Sequence, residues 1–148
     1  MIVSVTGTRW GMTTEQMHTF RTLLETSCRP TEFHHGACQG ADREAADIVR
    51  DHLPGVRIIA HPGPDGDGWQ APRFEADETL PGKTHFARNR DLVDVCDVLI
   101  VCPRETERQE RGGTWYTHDQ GKKRQKHVFV IWPNGSLLLA NGEMEVSL

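Results

Sequence analysis

The sequence predicts an α/β fold: a three-layer sandwich around a five-stranded, mainly parallel sheet of order 3-2-1-4-5, with a small C-terminal hairpin. Three observations carry this. Short β-branched runs alternate with longer stretches whose apolar residues recur at helical spacing. One run, Val98-Leu99-Ile100-Val101-Cys102, is continuously apolar, as strands buried on both faces of a parallel sheet are. The strand-to-helix turns repeatedly carry glycine.

The first strand covers residues 2–6. Thr13 or Thr14 can cap the helix that follows, which carries Met17, Phe20, Leu23 and Leu24 on one face and runs to about Ser27. Residues 32–35 form a short second strand. The second helix, 40–53, turns Ala41, Ala45, Ile48 and Val49 inward and ends at Pro54-Gly55. A third strand covers 56–60. Residues 61–82 are rich in Gly, Pro and Asp, and connections longer than about 12–15 residues in a compact domain tend to be functional or disordered. A third helix is expected over 83–96, the buried fourth strand over 97–102, a fourth helix over 114–126, and a fifth strand over 127–132. Asn134-Gly135 and Asn141-Gly142 signal tight turns, so 136–146 reads as a hairpin. Strands separated by helices in this way imply a Rossmann-like parallel sheet with right-handed crossovers. No internal repeat or composition break divides the chain, so residues 1–148 are expected to form one domain.

At 148 residues the chain is long enough to hold a core without disulfide or metal, and 36% hydrophobic with 26% charged residues is a globular composition. The net charge of −4 disfavours a broad nucleic-acid footprint. Arg104, Arg108 and Arg111 are interleaved with glutamates, and the Gly121–Lys126 basic run suits the negative end of a helix dipole. Cys28, Cys38, Cys96 and Cys102 include no CxxC spacing and read as reduced thiols, which points to the cytoplasm. A zinc site on His34, His35 and Cys38 is disfavoured because adjacent strand residues face opposite ways, so no metal or cofactor is expected. The first residues read as a strand, with no secretory leader, and no run approaches the ~20 apolar residues of a membrane helix.

Ligands in such sheets bind beyond the carboxyl ends of the strands. The candidate site residues therefore lie in the turns. Gly7, Thr8 and Arg9 follow the first strand, offering close approach, a hydroxyl and a forked cation. His35 and Gly36, then Gly40 and Asp42, follow the second and resemble a phosphate cradle at a helix start. Asp42 is also the first candidate general base, with His35 as the second. Arg88 and Asn89 open the third helix, where Arg88 and Arg90 point apart and only one can enter a pocket. Gly112, Gly113 and Thr114 lead into the fourth helix, with Thr114 as its cap and a possible phosphate ligand. Trp69, in the glycine-rich segment, can stack on a base or anchor the loop or a subunit contact, whereas Trp115 reads as core or interface.

The motifs TGTRWGMT, HHGACQGAD, ARNRDLVDVCDVLIVCP, RGGTW and VFVIWPNG, in this order, resemble the SLOG superfamily. That is the Rossmann-like group of the Lonely-guy cytokinin enzymes, DprA and the molybdenum-cofactor carriers, and the likeness is greatest to small stand-alone bacterial and phage members. The resemblance spans nearly the whole chain to about Gly135. It implies a nucleotide-type ligand and a homodimer or higher homo-oligomer. The Lonely-guy hydrolases place catalytic glutamates within three residues of the Gly-Thr turn. Here Trp115, Tyr116, Thr117 and His118 follow, and the first carboxylate is Asp119. The expected function is therefore binding, sensing or carrying of a nucleotide or nucleotide-derived phosphate ligand, with hydrolysis of an N-glycosidic or phosphoester bond as the alternative.

Overall fold

The computed structural model describes all 148 residues. In chain order the elements are β1 (Ile2–Gly7), α1 (Thr14–Thr26), β2 (Glu32–His35), α2 (Ala41–His52), β3 (Arg57–Ala60), β4 (Glu78–Thr79), α3 (His85–Val95), β5 (Val98–Cys102), α4 (Gly113–Lys123), β6 (His127–Ile131), β7 (Leu137–Leu139) and β8 (Met144–Val146). All eight strands join one sheet of order β4-β3-β2-β1-β5-β6-β7-β8. The expected five-strand order is its central part, β3-β2-β1-β5-β6, and these strands are parallel. The strand count of five is corrected to eight. A two-residue strand, β4, emerges within the long connection and pairs with β3. The C-terminal hairpin does not stand apart: β7 pairs antiparallel with β6, and β8 with β7, so it widens the sheet.

Side-chain alternation explains the three layers. Val3, Val5, Val98, Ile100 and Cys102 share a core with Phe20, Leu23 and Leu24 of α1 and with Ala41, Ala45, Ala46 and Val49 of α2. On the other face, Leu99, Val101, Val128 and Val130 pack with Val93 of α3 and Trp115 of α4. Gly121 brings α4 close to the sheet, because a Cβ there would stand 2.8 Å from Leu99 Cδ2 and 2.9 Å from Val128 Cγ2. Helix α1 starts in a capping box. Thr13 Oγ1 accepts from the Gln16 amide at 3.0 Å, and Gln16 Oε1 accepts from the Thr13 amide at 2.9 Å. The Gln16 side-chain amide then donates to the carbonyls of Pro103 and Ile131, tying α1 to the ends of β5 and β6. No helix is long and apolar enough to cross a membrane.

Candidate functional site

The carboxyl ends of β1, β2 and β5 meet at a cleft of about 760 Å³, a size usual for small-molecule sites. Of the residues expected there, Gly7, Thr8, Arg9, Asp42, Arg88, Asn89, Gly112, Gly113 and Thr114 line it. His35, Gly36 and Gly40 lie behind its wall.

The turn after β2 is braced from within. His35 is fully buried; its Nδ1 accepts from the Ala37 amide at 3.0 Å and its Nε2 donates to the Glu75 carbonyl at 2.8 Å. Both ring nitrogens are thus used by a neutral imidazole, and burial pushes its pKa down. Asp42 turns its Oδ2 back onto the amides of Gly36 at 3.0 Å and Cys38 at 3.3 Å. Burial raises the Asp42 pKa, against the pull of His35, Arg88 and those amides. Gly40, at φ 82°, takes the N-cap position of α2. A Cβ there would stand 2.4 Å from the Thr8 carbonyl oxygen, and the Ala41 amide donates to that same oxygen at 2.9 Å. The start of α2 is therefore filled by the turn after β1, and its first turn already holds Asp42 and Glu44.

Arg88 is 5% exposed and clamps three segments. Its Nε donates to Asn89 Oδ1 at 2.7 Å. Nη1 donates to the carbonyls of Gly36 and His61, and Nη2 contacts Cys38 Sγ at 3.7 Å and His85 Nδ1 at 3.3 Å. These partners carry no negative charge, which leaves a buried cation in the cleft wall. Arg90 is exposed and donates to Tyr116 Oη at 3.3 Å. The Cys38 thiol is pushed up to about 12 by burial, so it stays protonated near neutral pH.

The start of α4 is open. Gly112, not Thr114, takes the N-cap position, at φ 109° and ψ 152°, with no capping side chain and no acid in the first turn. The Tyr116 amide is the first to find a partner, the Gly112 carbonyl at 2.9 Å. The amides of Gly113, Thr114 and Trp115 are left to the cleft. Asn89 is 8% exposed; its Oδ1 is held by Arg88, while its Nδ2 donates to no protein atom and points at Gly113, 3.7 Å from where a Cβ would stand.

Several lining residues were not foreseen. Trp10 is 64% exposed and meets Trp69 edge-on at 5.1 Å between ring centroids. The Arg9 guanidinium lies 4.3 Å from the Trp69 ring, and that of Arg104 lies 5.5 Å from Trp10. The long connection carries Trp69 here because it is stitched to the turn after β2: the Gln39 amide donates to the Trp69 carbonyl at 2.9 Å, and Ala71 to Ala37 at 2.8 Å. It also delivers Asp67, whose Oδ1 accepts from the Trp69 amide at 3.1 Å. Trp115 is buried and donates from Nε1 to Glu105 at 2.8 Å, so it is a wall of the cleft.

No protein-family model and no curated protein matches the sequence. The fold has solved counterparts. The molybdenum cofactor binding protein from the phototrophic bacterium Rippkaea orientalis superposes with a TM-score of 0.66 at 17% identity, over 88% of this chain and 76% of that one. TM1055, a structural genomics target, superposes at 0.59 with 15% identity, over 86% and 71% of the two chains. At such identities the likeness is one of fold, and it agrees with the Rossmann-like architecture expected from the sequence.

Proposed function

We propose that this chain is a SLOG-type binding protein that carries or senses a nucleotide or nucleotide-derived phosphate ligand in the cleft between β1 and β5. The observation that carries this reading is the uncapped start of α4 with the unpartnered Asn89 Nδ2 aimed at it. Three free backbone amides, a side-chain amide and the positive end of a helix dipole form a natural phosphate seat. The buried Arg88 cation adds positive charge to the wall, although the Asp42 carboxylate stands close beside it. Trp10 and Trp69 supply aromatic surface for a base, with the Arg9 guanidinium over one face of Trp69 and that of Arg104 over Trp10. The molybdenum cofactor binding protein of like fold supports a ligand-binding role. Asp42, the carboxylate first suited to acid–base work, is occupied by two backbone amides, which favours binding without turnover.

Calorimetry with inorganic phosphate, nucleoside monophosphates and ADP-ribose tests this. Asn89→Asp, which keeps the oxygen that Arg88 Nε donates to but turns the Nδ2 donor into an acceptor, should weaken binding about tenfold or more, since it removes a hydrogen bond to a charged group. Arg124→Ala, which cuts an exposed contact to Asp94 far from the cleft, should leave affinity unchanged. Equal losses in both variants would mean diffuse attraction and no pocket. Arg88→Ala is a poor probe, because it would orphan the buried carbonyls of Gly36 and His61 and loosen the fold.

A further inference from the structure

We propose that Asp67 selects the sugar of the bound nucleotide: its free carboxylate oxygen accepts a ribose hydroxyl hydrogen, so the cleft prefers ribonucleotides to their deoxy forms. This rests on the nucleotide-binding reading above and extends it to a part of the ligand that the phosphate seat does not touch.

The Asp67 side chain is only 7% exposed. One oxygen, Oδ1, is satisfied by the Trp69 amide. The other, Oδ2, is the one buried side-chain oxygen or nitrogen in the molecule that has no hydrogen-bond partner. A buried carboxylate oxygen without a donor is costly, and such orphans are rare where the fold itself can supply a partner. None is supplied here. His85 Nε2 stands 3.9 Å away, beyond hydrogen-bond reach. The other ring nitrogen, Nδ1, faces Arg88 Nη2 at 3.3 Å. Asp67 lines the cleft, and Oδ2 sits behind His85, so a ligand filling the cleft can supply the missing donor once that ring turns away.

The surroundings narrow that donor to a neutral group. No cluster of three ligating side chains exists to hold a metal ion, and the Arg88 cation stands one imidazole away from Asp67. A carboxylate repels phosphate, so the phosphate lies elsewhere, at Asn89 and the start of α4. Arg88 spans the two places: its Nε holds Asn89 and its Nη2 reaches His85 beside Asp67. A ligand lying along this side chain with its phosphate at α4 brings its middle to Asp67. Trp69, bonded to Asp67 through its amide, marks the aromatic end with Trp10. Between the phosphate and the base of a nucleotide lies the ribose, whose hydroxyls are neutral donors. His85 is exposed at the rim, and its ring must leave its contact with Arg88 Nη2 to admit them.

The test is calorimetry of the full chain with AMP, GMP, CMP and UMP, each against its 2′-deoxy and 3′-deoxy form, with inorganic phosphate as a probe of the other end. In the wild type, at least one deoxy form should bind about ten- to a hundredfold more weakly than the ribonucleotide. Asp67→Asn keeps an oxygen for the Trp69 amide but loses the charged acceptor. It should bind ribo and deoxy forms within about twofold of each other while phosphate affinity holds. His85→Ala should retain the discrimination. Equal binding of ribo and deoxy forms by the wild type overturns the assignment and leaves the phosphate seat standing, and so does discrimination by base alone. Discrimination that survives Asp67→Asn, or that vanishes only in His85→Ala, also overturns it. No binding of nucleotide or phosphate removes both readings. If Asp67→Asn does not fold, the ribo-against-deoxy comparison in the wild type still decides.

Discussion

Helices α2 and α4 both begin on a glycine of positive φ at the same edge of the sheet, and they begin differently. The α2 start is packed shut: Gly40 lets the Thr8 carbonyl approach, the Ala41 amide bonds to it, and Asp42 and Glu44 supply negative charge from within the first turn. The α4 start has neither a cap nor an acid, and nothing lies within 4 Å of where a Gly112 Cβ would be. The same local chemistry thus serves two ends. One glycine lets backbone meet backbone and fixes the shape of the cleft. The other leaves amides without partners, which is a cost unless a ligand meets them.

The contrast is broken most forcefully at Gly40. Gly40→Val forces a branched side chain into a left-handed conformation and against the Thr8 carbonyl, for a loss of about 3 kcal/mol or more. Thermal unfolding should show Tm lower by roughly 6–12 °C, and an unchanged Tm would mean that the two turns do not touch.

Acid should weaken the α2 side next. Burial and the neighbouring His34 lower the His61 pKa from 6.5 to about 4, and burial lowers that of His35. Between those values the unfolded chain takes up protons that the folded one refuses, so stability falls as pH drops from 6.5 towards about 4. His34 Nδ1 meets His61 Nε2 at 2.7 Å, and His34 Nε2 meets Glu32 at 2.6 Å, a chain that ties the end of β3 to β2. Urea midpoints between pH 7 and pH 4 measure the slope, and His61→Gln should flatten it. A profile without slope in that window would mean that His61 and His35 take up protons in the folded chain as readily as in the unfolded one.

The smallest effect on stability is expected at the open end. Gly113→Ala places a methyl at the first residue of α4, in ordinary contact with Asn89 Nδ2. Alanine is the better helix former by up to ~1 kcal/mol, so Tm should hold or rise slightly. Phosphate affinity should nevertheless drop, since the methyl enters the seat. A variant that binds phosphate as well as the wild type would put the seat elsewhere.

Much of this was legible in the sequence. The apolar run of β5 and the helical spacing of α1 and α2 placed the central strands and their order. The turns after β1 and β5, and the start of α3, brought Thr8, Arg9, Arg88, Asn89 and Gly113 to one cleft. What spacing could not reveal was direction. His35 and Gly36 sit where a phosphate cradle would, but Asp42 folds back onto the Gly36 amide and closes it. Strand β4 has two residues, too few for any period to show. Asp67, Trp10 and His85 were missed because their place depends on how the long connection crosses the sheet edge. The one hint was Trp69 within a polar, glycine-rich segment.

The sheet ends in two very short strands, β4 of two residues on one side and β8 of three on the other. The longer strands β1, β5 and β6, and β2 beside β1, are each flanked on both sides within the sheet. At the β4 edge, Glu78 is held by Arg57 at 2.7 Å, and at the β8 edge Glu145 is exposed. A neighbouring chain seeking to extend the sheet finds a stub bearing charge on either side, the arrangement by which β-sheet proteins resist edge-to-edge aggregation.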